Sequence, residues 1–278
     1  MDIKAPDSRS VIILHPGVES LKAETEKLRR EISMLVLERD ELLAHVCKDI
    51  EMAYLLTFGE LECKEYELEC NIRRLKRKME LIQAKKNRQE KVILSQIEGV
   101  LDLEFFEYQE KLDERISKLQ AAKILENMPL LTEEASRELK KLYYAIVKVL
   151  HPDLHSDLSE EKLRLFHSAV EAYEKCDLDG LRIIEAMVLT SALPSEKSNE
   201  LDVLMKQKDS LITLIHTVKS RIMEIKSQYP YMMKSLLESR EKIEARKIEL
   251  LSNIERLGEF SAAYTERIKI LLGESYEQ

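Results

Sequence analysis

The chain has 278 residues, of which 35% are charged and 5% aromatic, and its formal net charge is -8. An acidic chain is a poor candidate for nonspecific nucleic-acid binding, which needs basic side chains against phosphate, so nucleic acid is not an expected partner. Its six glycines and six prolines are few turn formers for this length, which favours long helices and coiled coils over a single large globular core.

The N-terminal residues 1–18 are predicted to form a flexible segment without a secretory signal, because their apolar run from Val11 to Leu14 is too short. No stretch of the chain approaches the roughly 20 apolar residues that a membrane span needs. We therefore expect a cytoplasmic protein. The four cysteines form no CxxC pair and no cluster with histidine at metal spacing, so we expect reduced thiols and neither a metal site nor a cofactor.

Two apolar seams run through residues 19–128, with steps that alternate between three and four residues. The first seam spans residues 21–46 and the second spans residues 68–103. This is heptad spacing, and no proline interrupts it, so the segment is predicted to be an N-terminal coiled-coil arm. Gly59 lies between the seams, and we expect an antiparallel hairpin that folds there.

Charge is distributed unevenly along this arm. Residues 73–91 hold nine basic and two acidic residues, whereas residues 49–69 hold seven acidic residues and one lysine. We interpret them as complementary solvated faces of the hairpin, with a basic stripe for nucleic acid or an anionic surface as the alternative. Polar Arg39, Lys86 and Gln89 occupy seam positions, which weakens the packing there but can fix the register.

Residues 129–193 have shorter elements separated by turn signals. Helices are predicted over 133–150, 160–175 and 181–189. Thr132 and Ser159 each precede two glutamates, which is typical of a helix N-terminus. Pro152 ends the first helix because it disfavours helical geometry at the residue before it. Residues 177–180 are predicted to form a turn, and residues 194–200 a linker.

The first two of these helices are predicted to pack as an antiparallel pair through apolar stripes. The buried side chains expected on the first helix are Leu139, Leu142, Tyr143, Ile146 and Val147. Those expected on the second helix are Phe166, Val170 and Tyr173.

The tripeptide His151-Pro152-Asp153 lies in the loop between these two helices. Residues 138–153, ELKKLYYAIVKVLHPD, resemble the second helix and loop of a J-domain, and Phe166 with residues 171–173 resembles its third helix. The resemblance covers residues 129–190, about a fifth of the chain. It implies a DnaJ-type co-chaperone that docks on a DnaK-type ATPase chaperone and accelerates its ATP hydrolysis, with no catalysis of its own. The docking residues that follow are His151, Pro152 and Asp153, with Arg137, Lys140, Lys141 and Lys148 on the preceding helix.

The chemistry of these residues agrees with that role. Between Arg137 and Leu150, four basic residues against one acid, Glu138, make this part of the helix a positive patch within an acidic chain, able to steer an acidic partner. Asp153 is an acceptor suited to a partner arginine, and Pro152 limits the freedom of the loop and so lowers the ordering cost of docking. The alternative interpretation is a structural turn, with His151 capping the helix C-terminus.

Residues 201–272 repeat the heptad pattern, which Tyr229-Pro230 interrupts, and they are predicted to be a C-terminal coiled-coil arm in the form of a second hairpin, with a tail over 273–278. The predicted fold is therefore all-α, with a small J-domain-like module at 129–193 between two antiparallel helical arms. We expect the arms to recruit a protein client or an assembly, and they can also form a homo-oligomer. The competing hypothesis is a coiled-coil scaffold with a degenerate J-like module. An enzyme is not expected, because phosphate-binding, nucleophile and metal motifs are missing.

Overall fold

The structure is a computed structural model that describes residues 16–127, 131–155, 158–190 and 201–273. Every regular element in these ranges is helical, so the predicted all-α class is confirmed. The helices are α1 (Pro16–Glu41), a π-helical turn (Leu42–Val46), α2 (Cys47–Asn87), α3 (Leu94–Glu104), α4 (Phe106–Glu126), α5 (Glu133–Leu150), α6 (Glu160–Glu174), α7 (Leu178–Thr190), α8 (Leu201–Ser227), a 3-10 turn (Tyr231–Met233), α9 (Lys234–Leu237) and α10 (Arg240–Leu272).

Some predicted segments lie at the edges of these ranges. Of the N-terminal segment predicted to be flexible, residues 1–15 lie outside the described residues, and α1 begins at Pro16, where proline suits the first turn of a helix. The predicted linker over 194–200 also lies outside them. Of the predicted tail, only Gly273 is described, and it ends α10 with a positive φ of 77°.

The chain divides into two compact units. The first contains α1, the π-helical turn and α5 to α8, and the second contains α2 to α4, the 3-10 turn, α9 and α10. In the part of the chain that the structure describes, no helix is both long enough and apolar enough to cross a membrane. Nor do three His, Cys, Asp or Glu side chains converge there as metal ligands would.

In the first unit, α1 and α8 run parallel to each other. Three ion pairs join them, and the residue numbers rise together along both helices. The pairs are Glu24–Lys208 at 2.9 Å, Glu31–Lys219 at 2.7 Å and Glu38–Lys226 at 2.6 Å. Between the helices lies the fully buried Ile32 of the first predicted seam, with buried Val218 and Ile222 of the C-terminal seam. Val36 is also fully buried, although the predicted seam had Leu35 in its place, which is only half-buried. This is the packing of a parallel coiled coil formed within one chain.

The remaining helices of this unit, α5 to α7, pack against one another as a small module. The rings of Tyr143 on α5 and Tyr173 on α6 stack with centroids 4.0 Å apart, and His151 after α5 packs against Phe166 of α6. Later residues of the first helix thus meet earlier residues of the second, which confirms the predicted antiparallel pair. All five side chains predicted to be buried on α5 are buried. Phe166 and Tyr173 are buried on α6, whereas Val170 is only half-buried.

The helix starts within the module follow from side-chain caps. Thr132 accepts a hydrogen bond from the N–H of Ala135, and Ser159 accepts one from the N–H of Lys162, as predicted. Helix α7 begins at Leu178, three residues before the predicted start. The reason is that Asp177 accepts a hydrogen bond from the N–H of Gly180 at 2.9 Å, so the predicted turn is the first turn of the helix.

The second unit corrects the hairpin predicted at Gly59. Helix α2 runs through Gly59, which is buried in its interior. A Cβ atom at Gly59 would lie 3.0 Å from Cδ1 of Leu119 on α4, so the glycine permits a close approach between helices and does not form a turn. The chain reverses instead over residues 88–93, where Gln89 adopts a φ of 57°, and α3 and α4 return antiparallel to α2.

The hairpin predicted for the C-terminal arm is also wrong. Helix α10 packs on α2, as α8 packs on α1, and it again runs parallel to its partner. Its side chains bond to α2 in rising order, through Arg246–Glu62, Asn253–Glu65 and Ser261–Asn71. A heptad seam specifies an apolar stripe but neither its partner nor its direction, which here follow from these polar contacts.

The basic residues of 73–91 pair mainly with acids on α3, whereas their described ion pair with residues 49–69 is the contact of Arg73 with Glu69 within α2, so the two segments are not the facing surfaces of a hairpin as interpreted. Arg74 contacts Glu98 and Asp102, and Arg77 contacts Glu104. The acidic segment instead bonds to α4 and α10, as in the ion pair between Glu60 and Lys123. The basic and the acidic segment of the arm therefore form ion pairs with other helices of the second unit, because the chain turns thirty residues later than predicted from Gly59.

Candidate functional site

The His151-Pro152-Asp153 loop is closed by backbone hydrogen bonds at the end of α5. The N–H of His151 donates to the carbonyl of Val147, and the carbonyl of His151 accepts from the N–H groups of Leu154 and His155, each at 3.0 Å. His151 has extended backbone geometry, with φ -70° and ψ 128°, as expected for a residue before proline. The loop is consequently a tight turn that projects Asp153 from the end of α5.

The side chain of His151 points inward. It is only 3% exposed, and its ring packs edge-on against the ring of Phe166 with centroids 4.9 Å apart. Its Nδ1 accepts a hydrogen bond from the N–H of Asp153 at 3.0 Å. His151 thus supports the loop from its buried side, whereas the sequence predicted this residue as a docking contact. The Asp153 side chain, by contrast, is 38% exposed.

An arginine from α1 contacts both ends of the tripeptide. Arg39 Nη1 donates to Asp153 Oδ2 at 3.1 Å, and its Nη2 lies 3.0 Å from Nε2 of His151. Arg39 is fixed from the other side by Asp40, whose Oδ1 accepts from Nε at 2.9 Å and from Nη2 at 2.7 Å. Burial opposes the charge on Arg39, but the ion pairs with Asp40 and Asp153 outweigh it and raise its pKa.

These contacts make conflicting demands on the His151 ring. A neutral imidazole has one acceptor nitrogen, yet donors approach both nitrogens, from the Asp153 N–H and from the Arg39 guanidinium. An imidazolium would satisfy neither donor. Burial lowers the pKa of His151, and the neighbouring Arg39 lowers it further against the opposing effect of Asp153.

Two further polar contacts join the end of α1 to the module. Tyr143 donates its hydroxyl hydrogen to Asp40 Oδ2 at 2.8 Å, and Tyr173 donates to Glu41. Lys140, on the predicted docking face, forms an ion pair with Glu41 at 2.6 Å. Burial and then the adjacent carboxylates raise the pKa of both tyrosines, so their hydroxyls remain donors.

The chain leaves α1 through a π-helical turn that also contacts the module. His45 in this turn packs edge-on against the Tyr173 ring, with centroids 4.5 Å apart. Such turns are rare and occur often at functional sites. Around them, α1, the turn, α5 and α6 enclose a cleft of about 260 Å³, whose lining includes Arg39, Tyr143, His151 and Phe166.

The predicted basic face is only partly available. Arg137 pairs with Glu133 at 2.9 Å and Lys140 pairs with Glu41, while Lys141 and Lys148 are exposed and form no ion pair with any described residue. Of the seven predicted docking residues, the structure therefore brings four together at the loop and the adjacent turn of α5: His151, Pro152, Asp153 and Lys148. The other three, Arg137, Lys140 and Lys141, lie further back along α5.

Sequence reasoning missed the contribution of α1. Arg39 lies more than one hundred residues before the loop that it contacts, and Asp40 and Glu41 contact α5 and α6 at comparable separations, so no local pattern links the segments. The one available signal was Arg39 itself, a charged residue at a position of the first seam where an apolar one is expected. Its side chain is 20% exposed, and it turns from the seam toward two acids.

Comparisons with protein-family models, with curated proteins and with solved structures found no match to this chain. The resemblance to J-domains consequently depends on the tripeptide and on the helices on either side of it.

Proposed function

We propose that the chain is a J-domain-type co-chaperone, which docks on a DnaK-type ATPase chaperone and stimulates its ATP hydrolysis. The observation that carries this proposal is the presentation of Asp153. A turn braced by His151 holds its carboxylate at the end of α5, in a position where it pairs with a guanidinium, here that of Arg39. A partner arginine would need the same geometry.

Docking would use two properties of the module. Exposed Lys141 and Lys148 attract an acidic surface on the chaperone and orient the encounter. Asp153 then forms a charged pair with an arginine of the chaperone, while Pro152 keeps the loop in one conformation. Hydrolysis takes place in the chaperone, and this chain supplies binding energy alone.

The helices outside the module would recruit a protein client or an assembly. Exposed apolar side chains on α10 support this role, because such groups bind unfolded or partner segments. They are Ile248 (66% exposed), Leu251 (53%), Phe260 (53%) and Ile270 (72%). Homo-oligomerisation through the coiled coils stays a prediction, since the described seams of α1 and α2 are covered by α8 and α10 of the same chain.

Single-turnover ATP hydrolysis by the DnaK-type chaperone of the same cell tests the proposal. We expect the wild-type chain to accelerate hydrolysis and Asp153→Asn to weaken that effect roughly 10-fold or more, because a charge-assisted hydrogen bond of about 1.5–3 kcal/mol is lost. The double change Lys141→Ala, Lys148→Ala should raise the concentration needed, most strongly at low salt. Lys27→Ala on α1, an exposed lysine away from the loop, is the matched control.

A second function is favoured by the burial of His151. A coiled-coil scaffold would use the tripeptide as a structural joint between α1 and the module, with His151 and Arg39 in internal contact. In that case neither the wild-type chain nor any variant would stimulate hydrolysis, while His151→Gln would lower the thermal stability of the protein. Stimulation by the wild-type chain that Asp153→Asn removes would exclude the scaffold as the sole function.

A further inference from the structure

Three consecutive residues at the end of α1 occupy the groups that docking would need. Arg39 pairs with Asp153, Asp40 holds Arg39 and accepts from Tyr143, and Glu41 pairs with Lys140. We infer that these residues form an intramolecular latch, which closes the chaperone-docking site until α1 is displaced. The inference rests on the proposed function and adds regulation of the same site.

The latch would act by direct competition. Arg39 Nη1 already binds Asp153 Oδ2, so a chaperone arginine must displace it before it can pair with the same carboxylate. Arg39 is held in place beforehand by two hydrogen bonds to Asp40, so little side-chain entropy is lost when it binds Asp153. An attached competitor of this kind acts at a high effective concentration.

Glu41 extends the competition to the basic face. It neutralises Lys140, which the sequence predicts as a docking contact, and it also accepts from Tyr173. The pKa of Glu41 is lowered by these two donors in spite of its burial, so the carboxylate remains charged. The latch thus covers two distinct parts of the predicted docking surface with opposite charges.

The closed state nevertheless contains a conflict that favours opening. If His151 accepts from Arg39 at Nε2, its proton must reside on Nδ1, and the bond from the Asp153 N–H to Nδ1 is lost. When Arg39 leaves, the Nε2–H tautomer restores that bond, and the loop keeps its shape. His151 thus accepts one hydrogen bond in each state, from Arg39 when the latch is closed and from the Asp153 N–H when it is open. Two alternative states of this kind are what a switch requires.

Removal of the latch tests the inference in the chaperone assay on the full chain. We expect Arg39→Gln to lower the concentration for half-maximal stimulation by about 5-fold or more, because a larger fraction of molecules is competent to dock. Tyr143→Phe removes only the hydroxyl that Asp40 accepts and keeps the stacked ring, so it should act in the same direction with a smaller effect. Arg30→Gln is the control, since Arg30 lies on α1 and, among the described residues, its side chain bonds to the carbonyl of Glu26 alone.

The outcomes separate the latch from the proposed function. Greater stimulation by Arg39→Gln that disappears in the Arg39→Gln, His151→Gln double variant supports both. Equal stimulation by the wild type, Arg39→Gln and Tyr143→Phe keeps the function and overturns the latch. No stimulation by any of these proteins overturns the proposed function and, with it, the latch as a regulator of docking.

A spectroscopic readout follows the contact without the chaperone. Nitrogen-15 NMR of histidine-labelled protein distinguishes the two imidazole tautomers. We expect His151 of the Arg39→Gln variant to carry its proton on Nε2 alone, whereas the wild-type ring should show proton occupancy on Nδ1 as well. Identical His151 nitrogen shifts in both proteins would show that Arg39 does not bind the ring in solution, and the latch would be overturned.

Discussion

His151 is the residue whose protonation most directly affects the first unit. Its ring faces Arg39 and Asp40 from α1, Asp153 and His155 from the loop, and Phe166 from α6. Both ring nitrogens meet hydrogen-bond donors, so a second ring proton would have no acceptor. The neutral ring is consequently part of the folded structure, and stability should depend on pH through this residue.

We expect the free energy of unfolding to decrease as the pH falls below about 6.5, the ordinary pKa of histidine. Because the pKa of His151 is lowered in the folded chain, the unfolded chain binds protons more readily, and acid favours it. The stabilisation that the neutral His151 ring contributes is complete above the ordinary pKa of histidine. It is lost as the pH falls from that value through the pKa of His151 in the folded chain. Urea unfolding at a series of pH values measures the slope, and His151→Gln should reduce it.

His155→Gln supplies the comparison for this prediction. His155 lies in the same loop but is exposed, and its Nε2 contacts the carbonyl of Lys148. This variant keeps the buried ring and removes only the small charge effect of His155 on it, so the acid slope should change less than in His151→Gln. An unchanged acid slope in His151→Gln would mean that other groups carry the dependence and that the buried ring is not its source.

Among the elements, α5 and α6 were predictable because their signals are local. Thr132 and Ser159 cap them, Pro152 ends the first, and each has an apolar stripe that packs on the other. The arms were not predictable in the same way, since heptad seams repeat the same pattern in every helix. Gly59 illustrates the difference, because a glycine in a sequence is compatible with a turn or with close helix packing, and only the position of Leu119 decides between them.

The candidate site divides in the same manner. The tripeptide and the basic residues of α5 were identified from the sequence, because they lie close together in the chain and their order resembles that of a J-domain. Arg39, Asp40 and Glu41 were not, because the contact between α1 and the module joins segments that lie far apart in the chain. The burial of His151 depends on that contact and on Phe166, so it could not be predicted from the loop alone.

Two helical glycines should respond oppositely to the same substitution. Gly59→Leu should lower the free energy of unfolding by roughly 1–3 kcal/mol, because the new side chain must displace Leu119. Gly99→Leu should raise it by about 0.5–1 kcal/mol, since a Cβ there meets nothing within 4 Å and the helix gains propensity. Denaturant unfolding of both variants measures the difference, and equal effects would contradict the close packing of α2 against α4.

At the scale of the whole molecule, both units use one pairing scheme. The hydrogen-bonded partners along α1 and α8 are 184 to 188 residues apart in the chain, and those along α2 and α10 are 185 to 190 residues apart. The C-terminal helices thus follow the N-terminal helices in the same direction and at a nearly constant offset. Sequence periodicity alone allows this arrangement, two hairpins, or pairing between separate chains.

Zero-length carbodiimide coupling distinguishes these three arrangements. It joins a lysine to a carboxylate only in direct contact, so mass spectrometry should find Lys208–Glu24, Lys219–Glu31 and Lys226–Glu38. In an equimolar mixture of nitrogen-14 and nitrogen-15 chains, unfolded and refolded together, each linked pair should carry a single label, because the pairing is within one chain. Lys219→Gln should remove the middle link and leave the other two in place. Links between 201–227 and 240–272 would support the hairpin predicted for the C-terminal arm. Linked pairs that carry both labels would show that α1 of one chain binds α8 of another.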